Sequence, residues 1–100
     1  MKINWSAREV DVFLSLAETL SFRRTALQMH LSQSAVSGTV ARLEEMLDVR
    51  LFERTTRSMS LTEAGQLYLD GAREVLARMR ETTEEIAQLQ HSLRGVLRIT

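Results

Sequence analysis

The sequence predicts a mainly α fold of three short helices, a two-stranded hairpin and one long helix. Three observations carry that prediction. A serine or threonine stands directly before each of four apolar-periodic runs, at Ser6, Ser21, Ser32 and Thr62. A helix start needs such a side-chain acceptor for its orphan N–H groups. Between the third and fourth runs, two short segments flank the polar stretch Thr55-Thr56-Arg57-Ser58, which suits a hairpin. No proline occurs in the 100 residues, so nothing of that kind interrupts the last run.

Ser6-Ala7-Arg8-Glu9 reads as a capping box, with Glu9 able to reach back to the cap. Val10, Phe13, Leu14, Ala17 and Leu20 then recur at helical spacing, so helix 1 is expected from about Ala7 to Thr19. Ser21 caps helix 2, with Phe22, Ala26 and Met29 inward and Arg23, Arg24 and Gln28 outward. Leu31 plugs the corner. Ser32 caps helix 3, from about Gln33 to Leu47, with Ala35, Val36, Val40, Leu43 and Leu47 inward. Asp48-Val49 breaks that helix.

The segment Arg50–Arg54 and the return Met59–Leu61 form the expected hairpin, although its turn lacks glycine. Thr62 caps helix 4, and Glu63 suits the positive end of its dipole. This helix is expected to run to about Ser92. Ala72, Val75, Met79, Thr82, Ile86, Leu89 and Leu93 recur along it at alternating steps of three and four. That is a coiled-coil seam, which a body of about 60 residues cannot cover by itself. The simplest cover is a second copy of the chain; the alternative is a solvated amphipathic helix. Gly95-Val96-Leu97-Arg98-Ile99-Thr100 alternates after a glycine and is expected to open a strand of a further domain. The division is then 5–62 for the helical body, with the helix-turn-helix at about 21–40, 63–92 for the long helix, and 93–100 for the start of another domain.

Composition narrows the function. There is no cysteine, which excludes a disulfide framework and a thiolate zinc site and fits a reducing cytoplasm. No apolar run approaches the roughly 20 residues of a membrane span, and Met1–Trp5 carries no leader-like apolar stretch. His30 and His91 are the only histidines and fall in different elements. No triad, metal-ligand spacing or glycine-rich phosphate loop is present, so neither catalytic nor metal residues are assigned.

The net charge is zero, which on its own argues against nucleic acid. Its distribution argues differently. From Ser21 to Ser60 there are six arginines against four acids; from Leu61 onward there are five against six. A weakly basic front is joined to a neutral or slightly acidic back.

The run from Ser21 to Ser37 therefore reads as two helices around a tight corner, the second with a small polar exposed face. Such a helix fits the DNA major groove, about 12 Å wide. Its leading exposed residues are Gln33, Ser34, Ser37, Gly38 and Thr39. Glutamine can read adenine bidentately, and serine can donate or accept. Gly38 has no side chain to read with, and could instead allow close backbone approach. Arg54 and Arg57, in the hairpin, would lie beside the groove, where a narrow minor groove attracts arginine. Ser21, Arg23, Thr25, Ser32, Thr39 and Arg42 are the candidate phosphate contacts. Each has a plainer reading: Ser21 and Ser32 as caps, Arg42 as an ion-pair partner, Arg23 and Arg24 as solvated surface.

These residues closely resemble the amino-terminal region of LysR-type transcriptional regulators. The matching stretches are Phe13–Glu18, Ser21-Phe22, Ala26, Leu31–Ser37, Arg42-Leu43-Glu44, Leu51–Arg57, Leu61–Gly65 and Gly95–Ile99. The resemblance implies a winged helix-turn-helix and a linker helix that dimerises antiparallel. It implies double-stranded DNA as partner, a homodimer or, at full length, a tetramer, and an imperfect palindromic promoter site. The family's base contacts fall on Gln33, Ser34, Ser37 and Gly38, and its minor-groove residue on Arg57. No cofactor is implied for this region; a small-molecule effector belongs to a carboxy-terminal domain not contained in it. The sequence departs from the family pattern at Ser34, often proline, at Gly38, often basic or polar, and at Asp48, usually glycine. The competing reading is a protein-interaction module, with the long helix as its working surface.

Overall fold

The computed structural model describes residues 6–99, with side chains described from Ser6 to Leu93. Met1–Trp5, read above for a leader and as the edge of the body, and Thr100 lie outside the described residues.

Six elements follow in order: α1 (Ala7–Thr19), α2 (Phe22–Met29), α3 (Gln33–Leu47), β1 (Phe52–Arg54), β2 (Met59–Leu61) and α4 (Glu63–Ile99). The four caps stand where the sequence puts them. Ser6 Oγ accepts from the Glu9 N–H, Ser21 Oγ from Arg24, Ser32 Oγ from Ala35, and Thr62 Oγ1 from Gly65. Only half of the capping box forms. The Glu9 carboxylate does not turn back to the cap; it pairs with Arg42 at 2.9 Å and ties α1 to α3.

The first three helices end alike. Leu20, His30 and Asp48 all adopt the left-handed conformation, with φ between 52° and 56°. After α2 and α3 the chain turns back on the last helical carbonyls. Leu31 N–H donates to Ala26 O and Val49 N–H to Glu44 O, the closing bond of a Schellman turn. Asp48 thus holds the positive φ for which glycine is better suited. Leu20, expected to face inward, is half out in solvent because it forms the turn itself.

The helices and hairpin enclose one main core of Phe13, Leu16, Val40, Leu43, Leu51, Phe52 and Leu69. Phe13 packs its ring against Phe52 at 5.5 Å and edge-on against Tyr68 at 5.0 Å. Burial, with the Glu9 carboxylate adding to it, pushes the Tyr68 phenol above its ordinary value, so it stays neutral near pH 7. A smaller cluster of Val12, Ala26 and Val36 fills the angle between α1, α2 and α3. Val12 and Leu16 escaped the expected inward set because α1 is covered on two sides, not one.

β1 and β2 pair antiparallel with Phe52 opposite Leu61, Glu53 opposite Ser60 and Arg54 opposite Met59. The turn manages without glycine because Thr55 Oγ1 accepts from the N–H groups of Arg57 and Ser58. Thr55 N–H donates to Ser58 O, closing the loop.

α4 has 37 residues, about 55 Å at 1.5 Å per residue. It continues through 95–99, where a strand was expected. One glycine costs a helix about 1 kcal/mol, whereas a lone strand would leave its backbone groups unpaired. Among the described residues no strand lies ready to pair with it.

The first turn of α4 presses on β1. A Cβ at Gly65 would run into the carbonyl oxygen of Leu51 and crowd the Leu61 side chain. Backbone cannot retreat as a flexible side chain can, and overpacking costs about 1–3 kcal/mol. Gly65→Ala should therefore destabilise the domain by about 2 kcal/mol, measurable by urea unfolding. A variant as stable as the parent would show that α4 can shift off the hairpin freely.

Candidate nucleic-acid interface

The exposed face of α3 begins at its amino terminus. Gln33, Ser34, Ser37 and Gly38 are all exposed there, while Val36 and Val40 face the core. At 100° per residue these four lie within one arc of the helix. Thr39 falls outside that arc. It is half-buried, and its hydroxyl donates back to Ala35 O at 3.0 Å. A Cβ at Gly38 would meet nothing within 4 Å. No packing among the described residues requires glycine there.

The sequence-predicted phosphate contacts separate. Ser21 and Ser32 cap α2 and α3 and remain at least partly exposed, and Arg23 is exposed. Thr25 is corrected: it is 0% exposed. Its hydroxyl is paired with that of Thr19 at 2.9 Å, and Thr19 Oγ1 also accepts from the Ser21 N–H. The short α2 turns Thr25 onto α1, so it joins two helices and reaches no phosphate. Arg42 pairs with Glu9 at 2.9 Å while its side chain stays 65% exposed.

The two hairpin arginines part company. Arg54 carries its guanidinium 4.9 Å from the centre of the Phe22 ring, a cation–π contact that fastens the hairpin to the start of α2. Arg57 sits in the turn and is exposed. Only its backbone is fixed, through the Thr55 hydroxyl.

One residue that positions the candidate site was not assigned a role from sequence: Glu44. Its Oε2 accepts from the Leu51 N–H at 2.7 Å and from the Phe52 N–H at 3.4 Å. It thereby joins the helix that carries the polar face to the strand that leads to Arg57. Its place in the matching stretch Arg42-Leu43-Glu44 was a signal, but nothing local shows that the carboxylate reaches the backbone seven residues on.

Along α4 the expected seam divides. Ala72 is corrected in part, being 9% exposed and packed into the body. Val75, Met79, Ile86, Leu89 and Leu93 are exposed. From 77 to 93 every residue is exposed except the half-buried Thr82, whose hydroxyl donates to Arg78 O. Among the described residues no cluster of ligating side chains could hold a metal, and no helix is long and apolar enough to cross a membrane.

Known proteins share both sequence and fold. A family model described as a bacterial regulatory helix-turn-helix protein of the lysR family matches residues 7–66. The HTH-type transcriptional regulator CrgA of Neisseria meningitidis is 42% identical over 99 residues, which is 99% of this chain and 32% of that protein. The HTH-type transcriptional activator AaeR of Escherichia coli is 38% identical over 92 residues, 92% of this chain and 30% of that protein. The chain thus spans about a third of the length of the curated relatives it matches. A crystal structure of full-length CbnR complexed with its target DNA is 30% identical, with a TM-score of 0.73. The match covers 81% of this chain and 28% of that one.

The Glu44 contact is open to test. Glu44→Ala strands the N–H of the buried Leu51, a loss of about 1–3 kcal/mol. Glu44→Gln keeps an acceptor and should lose less than half as much. Thermal unfolding of the two variants side by side checks the order, and equal losses would deny the hydrogen bond its role.

Proposed function

The chain belongs to the LysR family of bacterial regulatory helix-turn-helix proteins, and we propose that it is the DNA-binding part of a sequence-specific transcriptional regulator. The observation that carries this is the uncovered polar face at the start of α3, tied through Glu44 to a hairpin that presents Arg57. Gln33, Ser34 and Ser37 read base edges in the major groove, and Arg57 enters the adjoining minor groove. Gly38 lets the helix backbone come close to the DNA, since nothing among the described residues calls for glycine there. Ser21, Ser32 and Arg23 hold phosphates; a capping hydroxyl that accepts from an N–H still has its own proton to donate. Arg54 serves the site indirectly, by fixing the hairpin on Phe22.

The exposed stretch of the α4 seam supports a homodimer, which would set two recognition helices on half-sites of an imperfect palindrome. CbnR, named as complexed with its target DNA, supports the DNA-binding part of this reading. The chain works in the cytoplasm and performs no catalysis. An effector domain and a tetramer, as implied by the family resemblance, would involve sequence outside this chain, and no residue here is assigned to them. The alternative, a protein-interaction module, has the same exposed seam in its favour but leaves the polar face of α3 without a role.

A gel shift on promoter DNA separates the two readings. About six phosphate contacts would cost roughly a thousandfold in affinity between 50 and 200 mM salt. Arg57→Ala should weaken binding about tenfold and leave the unfolding temperature unchanged. A dimer that shifts no DNA at either salt concentration decides for the interaction module.

Gly38→Ala gives the second test. The helix should gain about 1 kcal/mol of stability, while affinity for the operator falls. Unchanged affinity would remove the backbone-approach role.

A further inference from the structure

We propose that the dent between the first turn of α1 and the flank of α3 seats a phosphate of the DNA backbone, gripped by Arg8 and Arg42, with Glu9 as the positioning residue that aims Arg42. The proposal rests on the DNA-binding reading above and adds to it the contact that holds the strand beside the recognition helix.

The dent measures about 230 Å³ and is lined by Ser6, Arg8 and Glu9 from α1 and by Ala35, Thr39 and Arg42 from α3. Its place on α3 follows from helix geometry. At about 100° per residue, Arg42 lies about 40° round from Gly38, and Ala35 and Thr39 lie about 20° and 60° further on. These residues form the border between the exposed polar arc and the core. A helix about 10–12 Å across nearly fills a groove about 12 Å wide, so its borders lie against the phosphates that wall the groove. Side chains on a helix lean toward its amino terminus. Arg42 therefore reaches back over Thr39 and Ala35, toward the end of α3 that leads into the groove.

The chemistry of the dent suits one anion. Arg8 is exposed and pairs with no carboxylate among the described residues. Arg42 gives one Nη to Glu9 Oε1 at 2.9 Å. A guanidinium carries five N–H donors in a rigid fork, so most of them remain for a second acceptor. The Glu9 side chain is only 16% exposed, so the carboxylate stands behind the guanidinium and turns its free edge outward. An arginine ordered beforehand loses less freedom when it binds. Two cations against one acid leave a single positive charge in excess, which one phosphodiester neutralises. Ser6 Oγ accepts from the Glu9 N–H and keeps its own proton to donate. Thr39 adds no donor, because its proton is spent on Ala35 O.

Salt titrations of binding to a promoter duplex and to an unrelated duplex test the seat. Arg8→Ala breaks no ion pair among the described residues. It and Arg42→Ala should each weaken binding several-fold and equally on both duplexes. Each should lower the slope of log affinity against log salt by about one per chain bound. Unchanged slopes overturn the seat, and so does a loss confined to the promoter duplex. Glu9 is tested by a change of sign. Deleting an acid beside DNA tightens binding by charge alone, and a fold defect weakens it in any background. Glu9→Ala should instead weaken the parent about two- to tenfold, the cost of ordering a free arginine. In the Arg42→Ala background, where the carboxylate faces the phosphate unpaired, it should tighten binding. The same sign in both backgrounds overturns the positioning role. Should Arg42→Ala fail to fold, the Arg8→Ala slope decides. A parent chain that shifts neither duplex overturns the DNA-binding reading itself.

Discussion

The arrangement depends on how one buried peptide unit, that of Leu51, is satisfied. Its side chain is wholly enclosed. Its N–H is taken by the Glu44 carboxylate and its carbonyl by the Thr62 N–H. Gly65 closes over the same carbonyl. Helix α3, the hairpin and the long helix therefore meet at a single residue, each supplying what a buried polar group requires. Thr62 adds a second tie, donating its hydroxyl to Arg50 O. Backbone held on both sides in this way cannot slide. The distance from the polar face of α3 to the turn that bears Arg57 is fixed by chemistry far from either.

Much of the fold was legible because it is local. Ser6, Ser21, Ser32 and Thr62 cap their helices for reasons contained in four consecutive residues. The helix limits in the body follow from those caps and from apolar spacing. What escaped was set by distant partners. Glu9 had a box partner in sequence and a better one, Arg42, in space. Thr25 looks like an exposed hydroxyl until α2 is docked against Thr19. Val12 faces a cluster that exists only once three helices have assembled. The alternation at 95–99 fits a strand, yet a helix already under way continues through it.

The candidate site divides along the same line. An exposed polar face can be read from periodicity, because every position's outward direction follows from the helix alone. Arginine roles cannot, since a long side chain chooses among neighbours. Arg42 finds Glu9, Arg54 finds Phe22, and Arg57 finds only backbone support. A net charge of zero is misleading for the same reason. Two of the basic residues near the front are engaged internally, so the electrostatic character of the interface rests first on the few that are not.

The long helix also has a mechanical meaning. Its first turns are clamped between the hairpin and α1, while the described stretch beyond Leu76 extends about 35 Å. It is a lever with its fulcrum at Gly65 and Leu51. A tilt of about 5° at the fulcrum displaces the far end, about 51 Å away, by about 4.5 Å, and the relation runs equally well in reverse. A shift of a few ångströms applied at the far end would return to the body as a rotation. The close fit at Gly65 sets how much of that rotation is lost as slack.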